Sequence, residues 1–320
     1  MDLKTIISAA RRTGLIFIFG SYFCVIKGQQ TPLNPISYWV FNPYIYNPAI
    51  VGSKDFLTIG INTAFQGKAN SQLLSGNTRI TKTNSGYFAS PDITEFKNIG
   101  VGASIFNDYD GLSRNMGLSI SGSYQIPLNT RKLSFLSFGA SVKGEYNTIT
   151  SALSDTLRKT YYPNFDIGIY YYGTNFFTGI SAVNILGSPW KPDTFGIYNV
   201  QVSREYYFTA GYKFLLSKSL NIVLEPSVLI LATDSTFSKI KKNINPIIRL
   251  YLEDFCFGTS FGADGKISFF SQFRYPRFYI GAYYELAKKT PYFKKTPLVE
   301  FTIGLNIQPD KSRYSRHSHW

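Results

Sequence analysis

The chain has 320 residues, of which 44% are hydrophobic and 16% charged, with a formal net charge of +14. That apolar content excludes a disordered chain, and the lack of any Lys/Arg-rich run argues against a nucleic-acid reader. Two cysteines exclude a disulfide framework, while 24 Tyr, 27 Phe and 3 Trp suit a water–lipid boundary, where an amphipathic ring has one wet edge.

Residues 1–28 read as a secretory signal peptide. Lys4, Arg11 and Arg12 make a basic start, and "GLIFIFGSYFCVI" (14–26) is an apolar stretch too short to span a bilayer comfortably as a helix. An uncleaved N-terminal anchor is the alternative. Lipidation at Cys24 is disfavoured, because "SYFC" lacks the small residues expected before a lipidated cysteine. Cleavage would remove four positive charges and one negative, so the net charge of +14 would fall to +11, and Cys256 would be the remaining thiol. A basic exported protein meets anionic lipid rather than nucleic acid.

Residues 29–53 form a second unit. "NPISYWVFNPYIYNPAIVG" (34–52) holds three Asn-Pro pairs among five large aromatics. Proline stops a helix and cannot donate to a strand ladder; the residue before it is pushed extended, and Asn starts turns through its side chain. A long helix or strand is therefore excluded here. The chain should fold back repeatedly with its aromatics turned inward, either as a plug or periplasmic segment at the mouth of the larger domain beyond residue 53, or as a plain leader.

From residue 54 to 308 the hydropathy repeats with period two. In "FLTIGINTAF" (56–65), Leu57, Ile59, Ile61 and Phe65 oppose Thr58, Gly60, Asn62 and Ala64; in "GLSISGSYQI" (117–126), Leu118, Ile120, Tyr124 and Ile126 oppose three serines and Gln125. A soluble sandwich and a transmembrane barrel both give this alternation. Strand lengths of ten to fifteen residues, against about five or six in soluble proteins, favour the barrel. So does a polar face of Ser, Thr, Gly and Asn, and so do the aromatics near strand ends: Tyr146, Tyr161, Tyr162, Tyr171, Tyr206, Tyr207 and Tyr275. The fold class is all-β, a transmembrane antiparallel outer-membrane β-barrel of about fourteen strands. The strands are expected at 55–65, 70–80, 96–107, 112–126, 131–147, 161–172, 175–185, 204–216, 218–231, 241–252, 254–263, 265–275, 277–288 and 297–307. Short turns alternate with longer loops, as periplasmic and outer connections do; 81–95 is the exception, a long connection on the short side.

Within these strands the expected lumen faces carry Lys143, Glu145, Asp166, Glu225, Arg249, Glu253, Arg274, Glu285 and Glu300. Both signs occur, so a paired, structural lining is preferred to a selectivity or substrate path. Residues 309–320 are a basic polar tail holding the chain's two histidines, His317 and His319. With no histidine in the barrel, a Ser-His hydrolase has no base. No phosphate loop or zinc spacing is present. The chain reads as no enzyme, with no catalytic residue, no cofactor and no metal; His317 and His319 read as part of a solvated terminus.

"YWVFNPYIYNPAIVGS" (38–53) resembles the N-terminal signature of the PorP/SprF family of Bacteroidetes, through Tyr38, Phe41, Asn42, Pro43, Asn47, Pro48, Ala49 and Gly52. Trp39, Val40 and Tyr46 depart from it. "FYIGAYYELAKKTPYFKKTPLVEFTIGLNI" (278–307) is similar to the family's closing strands, with "TPLVE" a loose match. The resemblance implies a non-enzymatic outer-membrane barrel of the type IX secretion system that helps secrete or attach surface proteins such as adhesins and supports gliding motility. Its implied partners are outer-membrane lipid, the system's periplasmic ring proteins, and the C-terminal domain of a secreted adhesin or other substrate, with no nucleic acid. The alternative is an outer-membrane channel for small or hydrophobic solutes: "NPA" (47–49) also resembles the N-terminal hatch of fatty-acid-transporter barrels.

Overall fold

A computed structural model describes residues 35–54, 56–80, 98–109, 113–129, 133–150, 157–187, 204–233, 243–262, 265–275, 277–286, 289–290, 293–294 and 296–307. The expected signal peptide, segment 81–95 and the histidine-bearing tail lie outside the described residues.

Fourteen antiparallel strands form the wall: β1 (Leu57–Gln66), β2 (Ala69–Arg79), β3 (Ile99–Tyr109), β4 (Ser113–Asn129), β5 (Ser134–Thr150), β6 (Leu157–Tyr172) and β7 (Phe176–Val183). Then come β8 (Glu205–Tyr212, resuming as Phe214–Ser217), β9 (Ile222–Thr233), β10 (Ile244–Leu252), β11 (Phe255–Phe261), β12 (Ile267–Tyr275), β13 (Phe278–Glu285) and β14 (Leu298–Ile307). Each strand pairs with its sequence neighbours, and β14 pairs back onto β1, so the sheet closes without an edge. Closure satisfies the backbone polar groups that lipid cannot solvate. Among the described residues no helix is long and apolar enough to cross a membrane; this chain crosses with strands.

The register places each side chain. Ile303, Ile61, Leu74, Ile105 and Leu118 are cross-strand neighbours on successive strands, and all are exposed on the outer face. The opposite row runs Ser75, Ser104, Ser119, Lys143 and Asn164, and all are buried inside. Apolar outside and polar inside is the inverse of a soluble sandwich. Exposed aromatics flank the aliphatic band: Phe65, Tyr109, Tyr146, Tyr161 and Tyr284 toward one end, Phe176, Tyr212, Phe214 and Tyr275 toward the other. Two of the aromatics near strand ends, Tyr162 and Tyr207, are 3% exposed and face inward, because period two puts them out of phase with Tyr161 and Phe208.

Connection lengths differ between the two ends. At one end, strands are joined across 130–133, 173–175, 218–221, 253–254 and 276–277, all short, and across the longer 80–98; at the other, across 67–68, 110–112, 151–156, 184–204, 234–243, 262–266 and 286–297, where every longer connection but 80–98 lies. The strands β5 and β6 run longer than the periodicity suggested, because their backbone pairing continues past the aromatic pair Tyr146–Tyr161 as far as Thr150 and Leu157.

Ahead of β1, the Asn-Pro segment forms one short helix, α1 (Pro35–Phe41), and two 3-10 turns, Pro43–Ile45 and Pro48–Ile50. Each element begins at the proline of an Asn-Pro pair, where the missing N–H costs nothing and φ is already helical. The same spacing ends each element within a turn or two. Trp39, Tyr44, Ile50 and Val51 belong to one buried apolar cluster with wall residues such as Tyr207, Leu229, Tyr251 and Phe270.

Candidate functional site

The lumen is the candidate site, and it is built by the Asn-Pro segment against the inner wall. The Asn42 amide is the first anchor. Its Nδ2 donates to Asn62 Oδ1 of β1 at 2.7 Å, and its Oδ1 accepts from Ser75 Oγ of β2 at 3.1 Å. Tyr44 donates its hydroxyl to Ala103 O at 3.0 Å. Burial pushes that phenol above its ordinary pKa, so it remains a neutral donor. The Tyr38 hydroxyl is hydrogen-bonded to Ser71, which in turn donates to Asp108.

Asn47 is the second anchor, on the far side. Its Oδ1 caps the Pro48 turn by accepting from Ala49 N at 3.0 Å. Its Nδ2 reaches Ile169 O at 3.2 Å and Ile180 O at 3.4 Å, carbonyls of β6 and β7. The next carbonyls along the segment are taken by lumenal side chains. Ser181 donates to Tyr46 O (2.6 Å), Ser137 to Ala49 O (2.6 Å), Ser123 to Val51 O (2.6 Å) and Arg79 Nε to Gly52 O (2.7 Å). Arg79 also donates to the Tyr172 hydroxyl at 2.8 Å, which donates on to Gln125 at 2.6 Å. The segment thus crosses the lumen from β1–β2 to β6–β7 and returns along β5 and β4.

Shape explains the rest of the motif. Ala49 is fully buried where the wall presents Gly139, and a Cβ at Gly139 would collide with the backbone of Pro48 and Ala49. Gly52 has φ +67°, and a side chain there would sit 2.6 Å from Gly100 Cα. Phe41 lies on Gly281, where an added Cβ would be 2.7 Å from its ring. Pro43 and Pro48 start the two turns. Each residue of the signature therefore has a definite contact or backbone task in the lumen.

The charges fall into local groups. Lys143 Nζ meets Asp166 Oδ2 at 2.8 Å, and Ser141 donates to the same oxygen at 2.5 Å. Glu145 accepts from Asn115 at 3.2 Å, and Glu300 from Asn62 at 2.8 Å. Lys266 pairs with Glu285 at 3.0 Å. Arg249 meets Glu225 at 2.6 Å, with Lys213 at 3.8 Å from that carboxylate and the Tyr251 hydroxyl donating to it at 3.1 Å. Arg274 is half-buried on the inner wall nearby. Glu253 departs from the sequence reading: it sits in the two-residue turn after β10, exposed, with φ +52°. The turn ends the alternation one residue earlier than periodicity implied, so Glu253 does not face the lumen.

Sequence reasoning missed the hydroxyls that hold the segment, Ser71, Ser75, Ser123, Ser137 and Ser181, and the cations Arg79, Lys54 and Lys213. The serines were visible as the small polar half of each alternating strand; nothing local marked which of them would find a carbonyl. Among the described residues no group of three His, Cys, Asp or Glu could hold a metal ion. The free cysteine, Cys256, is buried.

A closed sheet with a lipid-facing outside, a polar lumen and an internal N-terminal segment defines a transmembrane β-barrel of the outer-membrane type. Within that class the chain belongs to the family described as type IX secretion system membrane protein PorP/SprF, whose model matches residues 28–305. The family and fold are those of a secretion or membrane component. Among solved structures, the chain is similar to a deletion mutant of the TodX monoaromatic hydrocarbon channel, with 10% identity over 83% of this chain and 94% of that one and a TM-score of 0.46. It is also similar to the CymD monoaromatic hydrocarbon channel (9% identity, 82% and 91% covered, TM-score 0.43). The translocator domain of autotransporter NalP from Neisseria meningitidis is a third (10% identity, 79% and 87% covered, TM-score 0.36). A search of curated proteins finds no match.

Proposed function

We propose that this protein is a non-enzymatic outer-membrane component of the type IX secretion system, with its Asn-Pro segment acting as a fixed plug. Family membership over residues 28–305 carries the reading. The short-turn end, where β1 begins and β14 ends, faces the periplasm and the ring proteins of the system. The longer loops face outward, where a secreted adhesin or another substrate's C-terminal domain would be held. Gliding motility would depend on the protein through that retained adhesin.

The lumen supports a structural rather than a conducting role. Side chains and carbonyls of the plug are bonded to β1 through β7, so opening the barrel would require breaking many contacts at once. The solute-channel alternative has less support, because a permeation path would have to pass that same segment.

The test is deletion of the gene, followed by quantitative comparison of surface-attached and released proteins. Loss of one or a few large surface proteins, restored by the full chain, is the expected result. Pull-down from solubilised outer membrane should recover periplasmic ring components. Unchanged secretion and attachment, with no such component recovered, would overturn the reading.

A further inference from the structure

Strand β6 rises beyond one of its neighbours. It pairs with β5 along its whole length, from Tyr172 to Leu157, but with β7 only from Tyr172 to Ile167. One more bond, from Ile185 N to Phe165 O at 2.9 Å, follows before the chain leaves the wall. Asn184 turns it, at φ +58°. The N–H groups of Asn184 and Leu186 go to the side chains of Asp166 (2.9 Å) and Asn164 (3.2 Å) rather than to the β6 main chain. Pro163 is the physical reason: the next ladder pair would call on its N–H, which proline lacks.

Successive residues of a strand aim their N–H and C=O at opposite neighbours. Phe165 aims at the β7 side, so Pro163, Tyr161 and Lys159 aim the same way, where among the described residues no strand pairs with them. This edge offers the C=O of Pro163, Tyr161 and Lys159 and the N–H of the latter two. It stands at the long-loop end, since Tyr161 pairs with Tyr146 in the aromatic row and Lys159 lies beyond them. Tyr161 is 61% exposed, and Lys159 is exposed on the same outer face. Unpaired main-chain groups at a membrane boundary are a template for a further strand.

A second copy of this chain fits that edge poorly. Paired antiparallel about Tyr161, it would set its own Pro163 against Lys159 O and leave that carbonyl unbonded. A small solute or a lipid has no matching row of donors and acceptors. We infer that the free edge of β6 is a strand-addition site: one extended segment of the surface protein retained by this barrel pairs with Lys159–Pro163 through main-chain bonds, with an acidic side chain beside Lys159 and an apolar one beside Tyr161. The identity of the partner rests on the secretion reading; the free edge does not.

The test has two arms. In the detergent-solubilised barrel, hydrogen exchange at the Lys159 and Tyr161 amides should be fast, while Thr160 and Tyr162, which aim at β5, are protected. Slow exchange at Tyr161 would mean that the edge is already covered and would overturn the inference. In cells, Lys159→Pro with Tyr161→Pro removes both edge N–H groups and leaves the β5 ladder whole. The ratio of released to attached surface protein should then rise about thirtyfold, the worth of two hydrogen bonds. Lys159→Gln with Tyr161→Phe keeps both N–H groups and should change that ratio far less. Heat-modifiable migration on gels checks the barrel; where the double proline variant does not fold, Tyr161→Pro alone is read, with a rise of about fivefold. If gene deletion strips the surface protein but the folded proline variant retains it, the edge inference fails and the secretion reading stands. If deletion changes nothing, the secretion reading fails and this inference with it. A dimer of the purified barrel that Tyr161→Pro dissociates would give the edge to a second copy and overturn the inference as well.

Discussion

Asn47→Ala should release the far side of the plug while leaving the barrel wall intact. The residue is 2% exposed and makes three hydrogen bonds: from Ala49 N at 3.0 Å, to Ile169 O at 3.2 Å and to Ile180 O at 3.4 Å. At about 1 kcal/mol net for each neutral bond, their loss weakens local attachment by about 3 kcal/mol. The longest of the three counts least, and water entering the gap would recover part of the loss. A change of that size speeds local opening about a hundredfold. Hydrogen exchange at the Ala49, Ile50 and Val51 amides of the detergent-solubilised barrel reads it directly, because each is protected only while the segment is seated. Asn47→Asp sharpens the test: it keeps the cap on Ala49 but loses both donors and sets a carboxylate against two carbonyls, so opening should again be fast. Protection unchanged in both variants would refute the assignment of Asn47 as an anchor.

Gly139→Val should expel the same turn, because its Cβ meets the Pro48–Ala49 backbone, and protease should then cut within 43–52; Gly122→Val, with open space around its Cβ, should leave the cleavage pattern unchanged. Arg249→Met should destabilise the barrel in lipid vesicles by about 3 kcal/mol, since Glu225 is left buried without its nearest cation and keeps only Lys213 at 3.8 Å. Adding Glu225→Gln to that variant should recover part of the loss, and urea midpoints of the two single variants and the double give the coupling. Ile120→Arg places a charge on the lipid face in the middle of β4, where Ile120 is 62% exposed, and should cost about 2–4 kcal/mol in bilayer refolding.

The barrel was readable because lipid and water impose opposite demands on alternate residues. Fourteen strands were expected and fourteen close the wall, since each carries its own period-two record. Boundaries were less legible: the β5–β6 hairpin extends past the aromatics, and only cross-strand pairing, which is not local, decides where it ends. Which of the strand-end aromatics turn inward was not legible from their position alone. Tyr161 and Tyr162 look alike as a pair, yet one meets lipid and the other the lumen.

The Asn-Pro segment was legible as a chain that must turn, because proline and asparagine act locally. Its partners were not. Asn47 and Ile180 are 133 residues apart, and the hydroxyls of Ser123 and Ser137 resemble every other serine on the inner face. The expected charges Lys143, Asp166, Glu225 and Arg249 did meet as neighbours, whereas Glu253 fell in a turn that periodicity cannot see.

Ion conductance in a planar bilayer tests the central claim, that the Asn-Pro segment closes this barrel, most directly. The wild-type barrel should be electrically quiet, and the Asn42→Ala, Asn47→Ala double variant should show bursts of conduction as the segment leaves the lumen. A wild-type barrel that conducts steadily, at a level the double variant does not change, would contradict the account.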